Sequence, residues 1–312
     1  MNIIFMGTPD FAVPVLELLY KTEKHNIQAV FTQPDKPKGR GYKLTPPPIK
    51  VLALEHNTPV FQPNSLKNGG EEYVEKIKEY NPDCIVVAAY GKILPKSVLD
   101  IPKYGCVNVH GSLLPKYRGA GPIQWAVLND EAETGITTML MGEGLDTGDM
   151  LLKRATPIGE NETAAELFDR LADMGAELLI ETLDALEQGN VVPEKQQEEI
   201  ATYAPMLSKD MCNLDFSDPV RKVHKQICGL SDWPCAVTKL NGKRLKIYKS
   251  EIVSNKAAGK ANGEIVNAKD FSVACSDGVI RFTEIQAEGS KRMKTADYLR
   301  GKPVSEGTIL GE

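Results

Sequence analysis

The sequence predicts an α/β protein: a Rossmann-like, doubly wound and mostly parallel sheet, followed by a small C-terminal β-barrel, with an oligonucleotide-binding (OB-like) type among the possibilities. Three observations carry that expectation. Apolar runs alternate with helical periods through the first part of the chain, the pattern of successive βα units. Residues 189–208 then break the pattern with Gly189, Pro193, Pro205 and a polar run from Glu194 to Glu199, the composition of an extended linker. Beyond it, short β-rich runs are separated by Asn-Gly and Asp-Gly turns. The expected domains are residues 1–188, the linker 189–208, and residues 209–312.

Taken in order, residues 2–6 read as a strand, 10–21 as a helix, 27–32 as a strand, 70–80 as a helix, and 83–88 and 106–110 as strands. Residues 34–48, between the second strand and the next helix, form a connection far longer than usual and rich in Pro and Gly. Residues 122–129 suggest a short helix, 134–141 a strand, and 150–157 a further strand added antiparallel. The longest helical pattern, 162–188, aligns Leu167, Leu171, Met174 and Leu178 on one stripe and closes the first domain. In the second domain, 218–228 reads as a helix, and 236–240, 244–249, 263–266, 271–275 and 279–285 as strands.

At 312 residues the chain exceeds one typical core, and 42% hydrophobic with 25% charged residues is ordinary soluble composition. The N-terminus begins directly with a strand and lacks the cationic and apolar regions of a signal peptide. No stretch has the length of a membrane span, so a cytoplasmic protein is expected. Six cysteines and four histidines show no C-x-x-C or H-x-x-x-H spacing, which predicts neither a zinc site nor a disulfide framework. No extensive apolar patch is suggested, and a monomer is expected. The net charge of −5 conceals an asymmetry: residues 1–204 hold 19 Lys and Arg against 29 Asp and Glu, whereas residues 205–312 hold 18 against 13. A polyanion-binding module and an ordinary lysine-solvated surface both fit that excess.

The most informative stretch runs from Asn108 to Pro122. Alternation along the strand 106–110 puts Asn108 and His110 on one face, so an amide and an imidazole leave the sheet together. A Gly-, Ser- and Pro-rich loop follows at the strand's carboxyl end, where open α/β sheets bind their ligands. A second Gly-rich loop, 142–149, carries Asp146 and Asp149. Together an amide, an imidazole and a carboxylate can stabilise an oxyanion and move a proton. An isolated histidine at a strand end is more often structural, and Asp146 in Leu-Asp-Thr-Gly also fits an Asx-type turn. A dinucleotide-dependent oxidoreductase is disfavoured, because the first strand-helix turn has a single glycine, Gly7, where that fingerprint needs three.

Asn108-x-His110-x-Ser112-Leu113-Leu114-Pro115-x-x-Arg118-Gly119-x-x-Pro122, followed by Gly144-x-Asp146-Thr147-Gly148-Asp149, resembles the folate-dependent formyltransferase family. The likeness extends to residues 5–12 (FMGTPDFA) and 33–37 (QPDKP), and so spans nearly the whole chain. It implies 10-formyltetrahydrofolate as formyl donor, no metal, and the α-amino group of methionyl initiator tRNA as acceptor; an amino-sugar nucleotide is the alternative acceptor. It makes Asn108, His110 and Asp146 catalytic, with Asp149 structural. Ala89, Tyr90, Ser112, Leu113, Leu114 and Pro115 would line the folate site. Arg118 would contact the folate tail or bond loop carbonyls. Lys38, Arg40 and Lys43, with Lys36, would form a basic arm in 34–48, with Arg40 reaching the acceptor end of the tRNA; Lys291 and Arg292 would contact it from the second domain. For the arm and for residues 291–294, solvated surface is the plain alternative.

Overall fold

The computed structural model describes residues 1–38 and 42–311. Its first sheet is built from strands that are apolar on both faces. In β1 (Asn2–Gly7) Ile3, Ile4, Phe5 and Met6 are all fully buried, as in a parallel strand covered by helices on each side. β1 pairs in parallel with β2 (Asn26–Phe31) and with β4 (Cys84–Ala88). β3 (Val60–Phe61) extends one flank in parallel, and β5 (Cys106–His110) the other. β6 (Glu133–Leu140) joins β5 antiparallel, and β7 (Met150–Pro157) completes the seven-stranded order β7-β6-β5-β4-β1-β2-β3. The chain runs outward on both sides of the β1/β4 pair, so the ligand-binding switch point lies at the carboxyl ends of those strands. There Ala89 turns the chain with φ 47° and Gly91 with φ 73°.

Several elements differ from the sequence expectation. The first helix is split into a 3-10 turn, Asp10–Ala12, and α1 (Val13–Lys21), which has a proline in its first turn. The connection 34–48 is not irregular throughout: Lys36–Lys38 and Lys43–Thr45 pair as a β-hairpin, with Lys38 facing Lys43. Its base is anchored, because Lys50 Nζ contacts both Asp35 oxygens at 2.9 Å and Gln62 Oε1 at 2.8 Å. A helix unforeseen from sequence, α2 (Pro48–Glu55), begins at the end of a proline run. The long helix α3 (Ala164–Gln188) starts two residues later than its apolar pattern suggests. Thr163 and Glu166 form a reciprocal capping box there: Glu166 N donates to Thr163 Oγ1 at 3.3 Å and Thr163 N to Glu166 Oε2 at 3.0 Å. Gly175 lets this helix approach β5, since a Cβ there would lie 2.8 Å from Val109 Cγ1.

The second sheet is antiparallel. β8 (Ala236–Leu240), β9 (Lys243–Ser254), β10 (Ile265–Asn267), β11 (Ser272–Ala274), β12 (Val279–Ala287) and β13 (Met293–Lys294) follow the order β8-β9-β12-β11-β10, with β13 on β12. Asn241 and Gly242, at φ 50° and 73°, make the tight turn between β8 and β9. The two edges are tied together by the C-terminal residues: Leu310 N donates to Gly263 O and Gly311 N to Lys239 O, each at 2.9 Å. Val223 and Ile227 of α4 (Val220–Leu230) pack into the core with Leu245, Ile247, Phe271 and Phe282.

The chain forms two compact units. One comprises Met1–Gly119, Thr134–Thr156 and Phe168–Tyr203; the other comprises Ala120–Glu133, Pro157–Leu167 and Ala204–Glu312. This division revises the charge argument, because 120–133 and 157–167 contain six acidic residues and no Lys or Arg. They turn the +5 of the C-terminal stretch into −1 for its unit. Asp130 pairs with Arg221 and, at 3.4 Å, with Lys225; Glu160 pairs with Arg221 at 2.8 Å; Glu166 pairs with Lys249. Among the described residues, no helix is long and apolar enough to cross a membrane.

Candidate active site

β5 brings Asn108 and His110 to the carboxyl edge of the sheet, where they face Met139 and Thr137 of β6 in register. Both side chains are nearly enclosed, Asn108 9% and His110 5% exposed. The two differ in their bonding. The Asn108 amide makes no hydrogen bond to any described residue, and its polar atoms keep contact with solvent. His110 Nε2 lies 2.9 Å from Tyr117 O. A carbonyl can only accept, so Nε2 carries a hydrogen and Nδ1 is the position free to exchange one. Nδ1 faces Asp146 Oδ2 at 3.7 Å, too far for a direct bond.

Asp146 stands at φ 51°, in the left-handed region, and its Oδ2 accepts from Gly119 N at 2.8 Å. The structure therefore unites the two loops noted from sequence, and the carboxylate bonds an amide of the first loop. Asp149 works through its backbone, where its carbonyl accepts from Leu140 N at 2.8 Å.

The residues expected to line the folate site are placed unevenly. Ser112 is fully buried and its hydroxyl donates to Lys116 O at 2.7 Å. Leu114 is 2% exposed and packs with Met139 and Met150; Pro115 is buried and Leu113 half-buried. Thr137 Oγ1 holds the loop from β6, donating to Ser112 O at 2.7 Å and accepting from Leu114 N at 3.1 Å. Ala89 is exposed, whereas the Tyr90 side chain is 1% exposed. The Tyr90 carbonyl accepts from Thr8 Oγ1 at 3.1 Å and Gln33 Nε2 at 3.0 Å, and burial raises its phenol's pKa above the ordinary range.

Arg118 bonds side chains rather than the loop carbonyls considered from sequence. Its Nη1 and Nη2 fork onto Glu198 at 2.9 and 2.8 Å, and its Nε donates to Gln196 Oε1 at 2.9 Å. Those hydrogen bonds hold the Glu198 carboxyl below its usual pKa. Gln196 was missed because it lies 50 residues from Asp146 in a polar run, and no local pattern marks it.

Of the basic candidates, Lys38 lies on the strand Lys36–Lys38 and Lys43 is exposed on its hairpin partner; Arg40 lies outside the described residues. Lys291 is exposed. Arg292 is exposed and also paired within its unit: Nε and Nη2 bond Glu284 at 2.7 and 3.0 Å, Nη1 bonds Asp232 at 2.5 Å, and its guanidinium lies 4.2 Å over the Tyr248 ring. A groove of about 800 Å³ in the C-terminal unit is lined instead by Lys209, Lys239, Arg244 and Lys246, with Trp233 56% exposed. Cross-strand register creates this cluster by setting Lys239 opposite Arg244, a proximity that sequence spacing does not display.

Comparison with known proteins agrees with this architecture. The formyl transferase family profile matches residues 1–183, and the profile for the formyl transferase C-terminal domain matches residues 206–303. The methionyl-tRNA formyltransferase of Caldanaerobacter subterraneus subsp. tengcongensis is 51% identical over 311 residues, covering 99% of this chain and 100% of that protein. That of Clostridioides difficile is 48% identical over 312 residues, the full length of both. Among solved structures, the N-formyltransferase of Helicobacter canadensis, in complex with folinic acid and dTDP-3-aminofucose, matches with TM-score 0.68 and 21% identity over 91% of this chain and 98% of that one. HypX of Aquifex aeolicus, in complex with tetrahydrofolic acid, matches with TM-score 0.67 and 18% identity over 96% of this chain and 47% of that one, so the chain spans about half of HypX. These two likenesses show a shared fold. With both profiles matched in order and relatives at about half identity along the entire length, the chain belongs to the formyl transferase family.

Proposed function

We propose that the chain transfers the formyl group of 10-formyltetrahydrofolate to the α-amino group of methionyl initiator tRNA, giving N-formylmethionyl-tRNA. The observation that carries the chemistry is the solvent-accessible amide of Asn108, without a partner among the described residues, beside the His110–Asp146 pair. In this reading the neutral amine attacks the formyl carbon, forming a C–N bond while the carbonyl electrons move to oxygen. Asn108 donates to that oxyanion and His110 stabilises it. Asp146, directly or through a water, accepts the amine's proton; N10 departs with a proton from His110, and Asp146 returns its proton to the imidazole.

Ala89 and the backbone of the Ser112–Pro115 loop suit the folate better than the side chains of Ser112 and Leu114, which are turned into the protein. We assign the transfer chemistry to residues 1–188 and acceptor binding chiefly to residues 209–312, joined through 189–208. Lys38, Arg40 and Lys43 of the arm, Lys291, and the groove around Lys239, Arg244 and Lys246 supply the phosphate contacts, with Trp233 a surface on which a base can stack. Arg292 serves the barrel. The protein acts in the cytoplasm as a monomer.

A sugar nucleotide is the weaker acceptor reading: the sugar enzyme from Helicobacter canadensis shares 21% identity, against 51% for the Caldanaerobacter tRNA enzyme. The test is a formylation assay with labelled 10-formyltetrahydrofolate and three acceptors: methionyl initiator tRNA, methionyl elongator tRNA and a dTDP-amino sugar. The expected order is initiator far above elongator, with the sugar inert and the tRNA reaction weakening steeply with salt. Formylation of the sugar with both tRNAs inert would overturn the proposal.

A further inference from the structure

The segment leading out of α3 contains one residue that behaves unlike its neighbours. Residues 192–195 and 197–200 are exposed, but Gln196 is half-buried. Its Nε2 donates to Asp146 O at 2.7 Å and to Gly148 O at 2.8 Å, while its Oε1 accepts from Arg118 Nε. Arg118, itself 8% exposed, is steadied by the fork onto Glu198, and the next residue, Gly119, bonds the Asp146 carboxylate. Asp146 thus has its backbone gripped by Gln196 and its carboxylate by Gly119. Aspartate tolerates the left-handed conformation, so φ alone does not fix this loop; the bonds from Gln196 to the two loop carbonyls do. Gly148 completes the loop by lying so close to Leu140 that a Cβ would come within 1.7 Å of Leu140 O.

We infer that Gln196, oriented by Arg118 and Glu198, is a positioning residue for Asp146: its amide sets where the carboxylate stands relative to His110 Nδ1. The inference rests on the catalytic reading of Asp146. A displacement of about 1 Å of a group at the reacting centre costs on the order of 100-fold in rate. Gln196→Ala should therefore lower kcat roughly 10- to 100-fold, leaving KM for the folate and for methionyl-tRNA within about threefold. Gln196→Glu has nearly the same shape but presents acceptors to the two carbonyls; it should be at least as slow, with folding guarded by its contact to Arg118.

The deciding measurement is a double-mutant cycle on single-turnover formylation with Asp146→Asn, each variant shown folded by circular dichroism. If Gln196 acts through Asp146, the double variant Gln196→Ala/Asp146→Asn will be no slower than Asp146→Asn alone. Multiplying losses, an unchanged kcat in both Gln196 variants, or an effect confined to KM or thermal stability would overturn the inference and leave the role of Asp146 standing. Near-wild-type turnover in Asp146→Asn itself would instead overturn the catalytic reading, and the positioning role with it.

Discussion

Asn108→Ala should separate catalysis from folding. Asn108 sits in a central strand, beside Val87 on one side and Met139 on the other, and its amide has no partner among the described residues. Truncation therefore breaks no hydrogen bond to a described residue. It loses only a modest amount of packing, which should leave stability within about 1 kcal/mol of wild type. Thr137 is the contrasting neighbour: its buried hydroxyl bonds Ser112 O and Leu114 N, so Thr137→Val strands both and should cost about 2–4 kcal/mol. On activity, losing an oxyanion donor is worth about 3 kcal/mol, or roughly 150-fold in the chemical step. Urea unfolding and single-turnover formylation on the same preparations test both halves. If Asn108→Ala is destabilised by more than about 2 kcal/mol, or transfers the formyl group at the wild-type rate, then the free amide is not an oxyanion donor and the reasoning fails.

His110→Ala and Asp146→Asn should each lower turnover by roughly two to four powers of ten while methionyl-tRNA still binds in a gel shift; loss of binding in step with turnover would argue for a structural role. Arg292→Ala should lower the melting temperature of the C-terminal unit and leave the salt dependence of tRNA binding unchanged, whereas Lys239→Glu with Lys246→Glu should flatten that dependence; the opposite pattern would return Arg292 to the interface. His224 is fully buried, and burial is the main cause of a pKa below its ordinary 6.5. It is therefore neutral when folded, and its contribution is complete above pH 6.5. As pH falls below that value, the unfolded chain binds a proton first, so stability declines by up to about 1.4 kcal/mol per pH unit until the folded pKa is passed. Trp125 and Trp233 both lie in the C-terminal unit, so fluorescence-detected urea unfolding from pH 8 to 5 reads it directly. A wild-type minus His224→Gln difference that does not shrink towards acid pH would contradict the assignment.

Much of the fold was legible because it rests on periodicity. The buried β1, the strand Cys106–His110 and the Asn-Gly turn after β8 are written in consecutive residues. The helix Pro48–Glu55 was hidden by three prolines that read as a breaker, although proline at the first helical position is tolerated. The hairpin within 34–48 was hidden because its strands are three residues each, too short to show alternation. The catalytic candidates were partly legible for the same reason: Asn108 and His110 share a strand face by spacing alone, while Asp146 needed the family resemblance to stand out.

The sequence by itself therefore determined the α/β class, the family and the residue types at the site, since strand alternation and loop composition are local consequences of backbone geometry. Tertiary structure alone decided what those residues bond. It left the Asn108 amide without a partner among the described residues, turned Ser112 and Leu114 inward, gave Arg118 to Glu198 and Gln196, and set Gln196 behind Asp146. It also placed two earlier segments holding six acidic residues in one unit with the C-terminal stretch, where Asp130, Glu160 and Glu166 pair with its cations, so that this unit carries −1 rather than +5. Hydrogen bonds and ion pairs depend on angstrom-scale approach between residues tens of positions apart, and one-dimensional spacing carries no record of it.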